Sequence, residues 1–345
     1  MKTDKQHLPQ DLITEILLRL PVKSLVRFKA VCKFWRSLIS DPHFARTHFE
    51  LAAPRFVFNT FHGIRTMDLD GPLSSNPLSG AINIDFLPTS IVIVGSCRGF
   101  LLLLDSIGSL YLWNPATRVY KPIPSPTYNV FSCLYGFGYD SSKDDYLVVL
   151  VYQPKSSPRL HVQFFSLRDN MWKYVGGGSG TDLPSLNLSC NVNVKAGLLF
   201  NETIHWLAYD HDRLLNVIIA FDLTEKRLLE IPQPDDLACD LSYCNLWVHG
   251  RFLSLSVSRF YTIEIWVMEK YKVHSSWTKT IVLSLSHIFP VCSTKSGNIV
   301  MDDATNLLKF TDKGEYLEHC AYPGLLESQV PMYTESILSL PGVSE

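Results

Sequence analysis

Charge is scarce in this 345-residue chain: 19% of residues are Asp, Glu, Lys or Arg, and the net charge is −2. There is no dense basic stripe, so nucleic acid is not an expected partner. No segment approaches the ~18 uninterrupted apolar residues that a membrane span requires. The opening MKTDKQHLPQD has no apolar core, so neither a span nor a secretory signal is expected. The eight cysteines, at 32, 97, 133, 190, 239, 244, 292 and 320, form no C-x-x-C pair. Reduced, mostly buried thiols are expected in a chain without a secretory signal. Asn187-Leu188-Ser189 and Asn201-Glu202-Thr203 match the glycosylation pattern, which carries little weight without entry to the secretory pathway.

Catalytic signatures are missing as well. No G-x-x-x-x-G-K-[ST] or H-E-x-x-H occurs, and Thr181 takes the last place of what would otherwise be a G-x-S-x-G near Ser179. His43 and His48 are five apart and share no helix face well. Cys239 and Cys244, with Asp235, Asp236 and Asp240, are the one dense ligand cluster and lack tetrahedral spacing, so they read as an acidic loop with a buried thiol. His205, His211, His249 and His274 are dispersed and read as structural. Neither a metal nor a cofactor is implied.

What the chain does have is two textures. Residues 1–50 carry nine Lys/Arg against five Asp/Glu, a net +4, and the remainder carries 22 against 28, a net −6. A mildly basic head suggests an acidic partner. In the head, Leu12, Ile13, Ile16, Leu17 and Leu20 recur at helical spacing behind Pro9, with Asp11 and Glu15 near the positive helix end. Pro21 ends this helix at about Arg19–Leu20. A second helix is expected from near Lys23 with Leu25, Val26 and Phe28, and a third with Val31, Cys32, Trp35, Leu38 and Ile39. Asp41-Pro42 caps a fourth running to about Phe49. So short a segment cannot bury this many large apolar groups by itself. They must cover either the rest of the chain or another protein.

The order Leu8-Pro9, Leu12, Ile16-Leu17, Leu20-Pro21-Val22-Lys23-Ser24-Leu25, Val31-Cys32-Lys33, Trp35-Arg36 and Leu38-Ile39 resembles a plant-type F-box over residues 7 to about 50. That resemblance implies a three-helix unit bound to a Skp-family adaptor, and through it to a cullin scaffold and a RING subunit. The family's adaptor is acidic, in keeping with the head's charge. By position, Leu8, Pro9, Leu12, Ile13, Ile16, Leu17, Leu20, Pro21 and Leu25 would lie against the adaptor. Val31, Cys32 and Trp35 would complete that surface or hold the helices together. Phe34 stands where the family often has a small or polar residue, which leaves open how the last helix meets its partner.

After about Ala53 short apolar runs alternate with turn residues, the pattern of many antiparallel strands. One unit recurs: an apolar strand, a polar turn, then an apolar or aromatic residue opening the next strand. It appears as LYLWNPATRVY, VQFFSLRDNMW, IIAFDLTEKRL, IEIWVMEKYKVHSSW and LLKFTDKGEYL, whose last residues are spaced 52, 56, 49 and 40 apart, with a worn copy, RTMDLDGPL, 47 residues earlier. Such spacing marks propeller blades. The fold class read here is α+β multidomain: a small helical F-box followed by a mainly antiparallel all-β domain, a β-propeller of six blades or of seven. A large two-sheet sandwich is the alternative. Expected divisions are 1–50 for the F-box, 51–95 for a connector and divergent first blade, and 96–340 for the propeller. The tryptophans at 113, 172, 206, 266 and 277 are assigned to blade cores, and Gly136 and Gly138 to a close backbone approach or a bulge.

Leu112-Trp113-Asn114-Pro115-Ala116-Thr117-Arg118, Gly136-Phe137-Gly138-Tyr139-Asp140, Asp145-Tyr146-Leu147-Val148-Val149, Phe221-Asp222, Ile263 to Met268 and Ser276-Trp277-Thr278 resemble the plant F-box-associated domain, akin to kelch repeats. Asp145-Tyr146-Leu147 departs from its usual Asp-Tyr-Lys. The pairing implies the substrate-recognition subunit of a Skp-cullin-F-box ubiquitin-protein ligase, itself non-catalytic, working in the cytoplasm or nucleus on an unidentified protein target. Target contacts are expected in loops 124–134, 153–160, 176–190, 208–215 and 233–245, since insertions and recognition concentrate in loops. Three other readings remain open: an enzyme on a propeller scaffold, as in kelch-like oxidases; an adaptor-bound scaffold without ubiquitination; and a pollen self-incompatibility F-box protein that binds ribonucleases.

Overall fold

The computed structural model describes residues 8–60, 63–68, 72–73, 80–82, 91–126, 133–154, 160–175, 188, 195–235, 244–285, 288–303, 305–321 and 332–340. Four helices lead the chain: α1 (Gln10–Leu18), α2 (Val22–Phe28), α3 (Lys33–Ile39) and α4 (Pro42–Leu51). Asp41 caps α4 as its sequence demanded, its Oδ1 accepting from the amides of His43 at 2.9 Å and Phe44 at 3.0 Å. Two boundaries differ from expectation. Pro21 is itself the N-cap residue of α2, its carbonyl taking the first helical bonds, so that helix starts one residue before Lys23. Cys32 caps α3 through its sulfur, which leaves Val31 and Cys32 ahead of the helix rather than within it.

Six sheets follow, antiparallel except where Lys195–Ala196 pairs in parallel with the inner strand of blade 3 as a fifth strand. Blade 2 comprises Ile91–Cys97, Phe100–Asp105, Leu110–Asn114 and Val119–Ile123; blade 3 comprises Cys133–Asp140, Asp145–Tyr152, His161–Ser166 and Met171–Tyr174. Blade 4 comprises Leu198–Phe200, Thr203–Asp210, Leu215–Asp222 and Arg227–Ile231; blade 5 comprises Cys244–His249, Phe252–Arg259, Thr262–Met268 and Trp277–Leu283. Blade 6 comprises Phe289–Ser293, Ile299–Asp302, Asn306–Phe310 and Tyr316–Ala321. Blade 1 is shared between the chain's two ends: Pro54–Thr60, Gly63–Met67 and Gly80–Ile82 are completed on the inside by Met332–Thr334. This is a six-bladed β-propeller, which decides the blade number and removes the sandwich. Blade 2 begins at Ile91, so a division at 95/96 would cut its first strand.

The apolar runs are continuous because each blade is buried on both faces. Alternate residues of one strand feed opposite seams. In Asp145–Tyr152, Val148 and Leu150 pack toward blade 2, while Leu147, Val149 and Val151 pack toward blade 4. Every one of the six seams holds such a cluster. Trp113, Trp206 and Trp277 lie buried in seams, and Trp172 and Trp266 sit half-buried against them. Trp247, which the sequence reading did not single out, is buried in the seam between blades 5 and 6. Two tryptophans also stitch blades together at matching positions: Trp172 Nε1 donates to the carbonyl of Pro124 at 2.7 Å and Trp277 Nε1 to that of Pro232 at 2.8 Å.

The repeating unit has a local cause. In Asn114-Pro-Ala-Thr-Arg118 and Asp222-Leu-Thr-Glu-Lys226 the first side chain accepts from the two amides that follow Pro115 and Leu223. The fifth residue turns through positive φ, at 62° and 55°, before the last strand of the blade. The worn first copy falls out of register: Leu73 lies between the third and fourth strands of blade 1 and does not open a strand.

Gly136 is glycine because blade 4 leaves no room. A Cβ there would lie 2.7 Å from Ile204 Cγ2 and 2.8 Å from the Trp206 ring, whose Nε1 donates to the Tyr135 carbonyl. Nearby, Lys226 and Asp140 form a buried ion pair at 2.5 Å across the same seam. The expectation of reduced cysteines holds at Cys32, Cys97, Cys292 and Cys320 and fails at Cys244, which is disulfide-bonded. Bond formation needs only that two thiols meet in space, which spacing along the chain does not report.

Two outcomes follow. Gly136→Ala should lower the stability of the ring by about 1–3 kcal/mol, the usual cost of overpacking, read as a shift in urea midpoint. His205 is buried, its Nδ1–H donating to the Leu198 carbonyl at 3.3 Å and its Nε2 accepting from the Tyr271 hydroxyl of blade 5 at 2.7 Å. Burial pushes its pKa down from 6.5 to about 4. The folded ring therefore stays neutral while the unfolded one protonates. Its contribution is complete above about pH 6.5 and is lost as pH falls toward 4. Urea midpoints measured across that window should fall, and the slope should flatten in His205→Gln.

Candidate functional site

Strand parity divides the propeller into two rims. Because blades 2, 4, 5 and 6 have four alternating strands each, every turn between first and second strands, and between third and fourth, lies on one rim, here called lower. Turns between second and third strands, and links between blades, lie on the opposite, upper rim. The N-terminal segment enters as the second strand of blade 1, so the helical head hangs from the lower rim. There it meets the tail. Ile337 is buried among Leu17, Leu25, Ile39 and Phe44, with Ala116 of the lower turn of blade 2 beside them.

The twelve head residues singled out by sequence separate into three groups. Leu8, Pro9, Leu12, Ile16, Pro21, Val31 and Cys32 are exposed, Leu12 by 50% and Ile16 by 49%. Ile13, Leu20 and Trp35 are half-buried, with Trp35 against Phe28 at 5.2 Å between ring centroids. Leu17 and Leu25 are inside the unit. The division follows the helix: Leu8, Leu12 and Ile16, four apart, face outward, while Ile13, Leu17 and Leu20 face the tail and α4. In this arrangement Leu17 and Leu25 support the outer face from within. Val26 and Phe34 add to the exposed apolar surface. Val26 sits one position past the buried Leu25, a placement that helical periodicity alone could have supplied. His48 is buried rather than poised for chemistry: its Nε2–H donates to the Leu20 carbonyl at 2.8 Å and ties α4 to the end of α1.

By chain order, the five loops chosen from sequence fall between strand ends that lie on the upper rim. Segments 124–134, 176–190 and 233–245 link blades, and 153–160 and 208–215 join second to third strands. Residues 127–132, 155–159, 176–187, 189–190 and 236–243 lie outside the described residues. Within 208–215, residues 208–210 are strand rather than loop, since the hairpin pairs up to Asp210 and Leu215. Exposed apolar side chains stand on three of the described upper tips, whereas that of blade 6 is polar, with Asp303 and Thr305. Phe260 and Tyr261 form a two-residue hairpin end and are exposed by 93% and 82%, while Leu214 and Ile107 project from the equivalent turns of blades 4 and 2. Neither Phe260 nor Tyr261 was anticipated, and the signal was legible: an aromatic pair where a hairpin turn normally takes Asn, Asp or Gly. The lower turns, by contrast, read Arg98-Gly99, Asn201-Glu202, Gly250-Arg251 and Thr224-Glu225-Lys226.

Among the described residues no group of three His, Cys, Asp or Glu is placed to hold a metal, and no helix is long and apolar enough to cross a membrane. Of the acidic cluster around Cys244, residues 236, 239 and 240 lie outside the described residues, and Asp235 pairs with His274 at 3.1 Å. Burial lowers the pKa of His249 as well as that of His205, so both favour the neutral ring.

Comparison with known proteins agrees with both parts. Residues 6–47 match the F-box domain family and residues 62–323 match the F-box associated beta propeller domain family. The chain is similar to the F-box/kelch-repeat protein At3g23880 of Arabidopsis thaliana, 29% identical over 80% of this chain and 79% of that one. It is also similar to the putative F-box protein At3g16210, 28% identical over 90% and 82%, and to the F-box protein CPR1, 27% identical over 87% and 80%, both of Arabidopsis thaliana. With a helical F-box at its head and the matched propeller over most of its length, the chain belongs to the plant F-box proteins that carry an F-box associated β-propeller.

Proposed function

We propose that this chain is the target-selecting subunit of a Skp-cullin-F-box ubiquitin-protein ligase, acting in the cytoplasm, the nucleus or both. The observation that carries the reading is the outward apolar face of the head. Leu8, Leu12, Ile16, Val31 and Phe34 are exposed although the same unit buries a full inner face. Clustered exposed apolar groups on a small helical unit fit a protein partner. Membership of the F-box family supports a Skp-family adaptor as that partner, which would bring the cullin and RING subunit. The upper rim would hold the target protein, with Phe260, Tyr261 and Leu214 as apolar anchors of the kind that dominate interface energetics. Neither membrane nor nucleic acid takes part.

On this reading the chain performs no chemistry. Its effect is proximity: it holds a target near a ubiquitin carrier and raises the local concentration of acceptor lysines, an effect set by geometry rather than by new bonds.

The adaptor half is tested by calorimetry with the full chain. Leu12→Asp/Ile16→Asp should abolish adaptor binding at unchanged circular dichroism, since both side chains are already half in water. Leu17→Ala should instead destabilise the head by about 2–5 kcal/mol, as for other buried leucines. Absence of binding by the folded wild-type chain would overturn the reading. For the target half, Phe260→Asp/Tyr261→Asp should remove proteins that co-purify with the wild-type chain from proteasome-inhibited plant cells, with adaptor affinity untouched. Retention of every such protein would place recognition elsewhere on the ring.

A further inference from the structure

We propose that residues 335–340 couple the helical head to closure of the propeller, so that the two form one cooperative unit with the tail as their shared part. The segment follows directly on Met332–Thr334, which completes blade 1 by pairing with Pro54, Arg55 and Phe56. Three contacts then pin it in succession. Ser336 is fully buried, and its carbonyl accepts from Asn114 Nδ2 at 3.0 Å; the same amide donates to the Leu338 carbonyl at 3.2 Å. Ile337, between them, enters the head's core. Leu340 ends in the seam between blades 2 and 3.

The head depends on this insertion for a physical reason. Its four helices run only 9, 7, 7 and 10 residues, and isolated helices shorter than ~12–15 residues are marginal in water. Their stability has to come from a shared core, which a unit of this size fills poorly by itself. Ile337 supplies part of that core from the far end of the chain. The tail, in turn, has little regular structure beyond its three-residue strand and is held by what it touches. Gly99 shows how closely: φ there is +83°, and a Cβ would lie 2.1 Å from that of Ser336. Loosening the pin at blade 2 should therefore loosen the head, and ordering the head should protect the closure strand. That second effect is reciprocal to the first by linkage.

Asn114→Asp isolates the coupling. The retained Oδ1 keeps the turn cap on Ala116 and Thr117, while the amide that holds the tail becomes an acceptor facing two carbonyls. Hydrogen exchange of the full-length chain reads the outcome without any partner. We expect amides of residues 10–51 to exchange at least about tenfold faster in Asn114→Asp and in Ile337→Ala, with blades 4 and 5 at wild-type protection. Wild-type protection of the helices in both variants would overturn the proposal, as would uniform loosening of all six blades. One arm rests on the ligase reading: adaptor affinity should fall in both variants, although neither residue is on the outward face. If the wild-type chain binds no adaptor, the ligase reading fails while the exchange data still judge the coupling.

Discussion

The pairing of Met332–Thr334 with Pro54, Arg55 and Phe56 is the joint on which the structure depends. A ring of blades has to close on itself, and in this one the first and last strands meet inside one sheet. Here they meet at a sequence separation of nearly the whole chain, and the entropy of closing so long a loop is met by a few strand hydrogen bonds and the seam around Tyr333. The same closure removes two inner strand edges that would otherwise be free to pair with other chains. The tail beyond it reaches the head, so one short segment finishes both domains.

Parity then decides the layout. Four strands per blade return the chain to the rim where the blade began, so all links between blades fall on one side. The head is on the other side only because Pro54–Thr60 enters blade 1 as its second strand, leaving the first to be supplied by the C-terminus. Had the N-terminal strand been innermost, head and loops would have shared a rim. Exposed apolar side chains at Ile107, Leu214, Phe260 and Tyr261 stand on upper turns. A receptor that must hold one protein at each end, apart from the other, has a use for that separation.

Small polar stitches tie neighbouring blades together at five of the six seams. Trp172 and Trp277 reach carbonyls of the preceding blade, Lys226 reaches Asp140, Asn245 reaches Pro290, and Glu318 takes the amide of Leu73. Each is a modest net contribution of the size expected of a single hydrogen bond or partly buried pair. Together with six apolar seams they fix each blade's angle to its neighbour.

The sequence by itself determined everything that local chemistry controls. It set the four helices through their apolar spacing and the Asp41 cap, the blades through a repeated strand-turn-strand unit, and the family through the order of its motifs. The strand ends that flank the five candidate loops fall on one rim, which is visible only once strands are counted around a ring. What tertiary structure alone decided are relations between residues far apart in the chain. That Leu17 and Leu25 are covered in part by Ile337, more than 300 residues away, is one such relation. That Gly136 must be glycine depends on Trp206, and that Cys244 is disulfide-bonded depends on a meeting of thiols. Helical and strand periodicity report which side of an element is apolar. They are silent on what covers it, because burial is a property of packed pairs, and the partner in each pair is chosen by the closure of the whole ring.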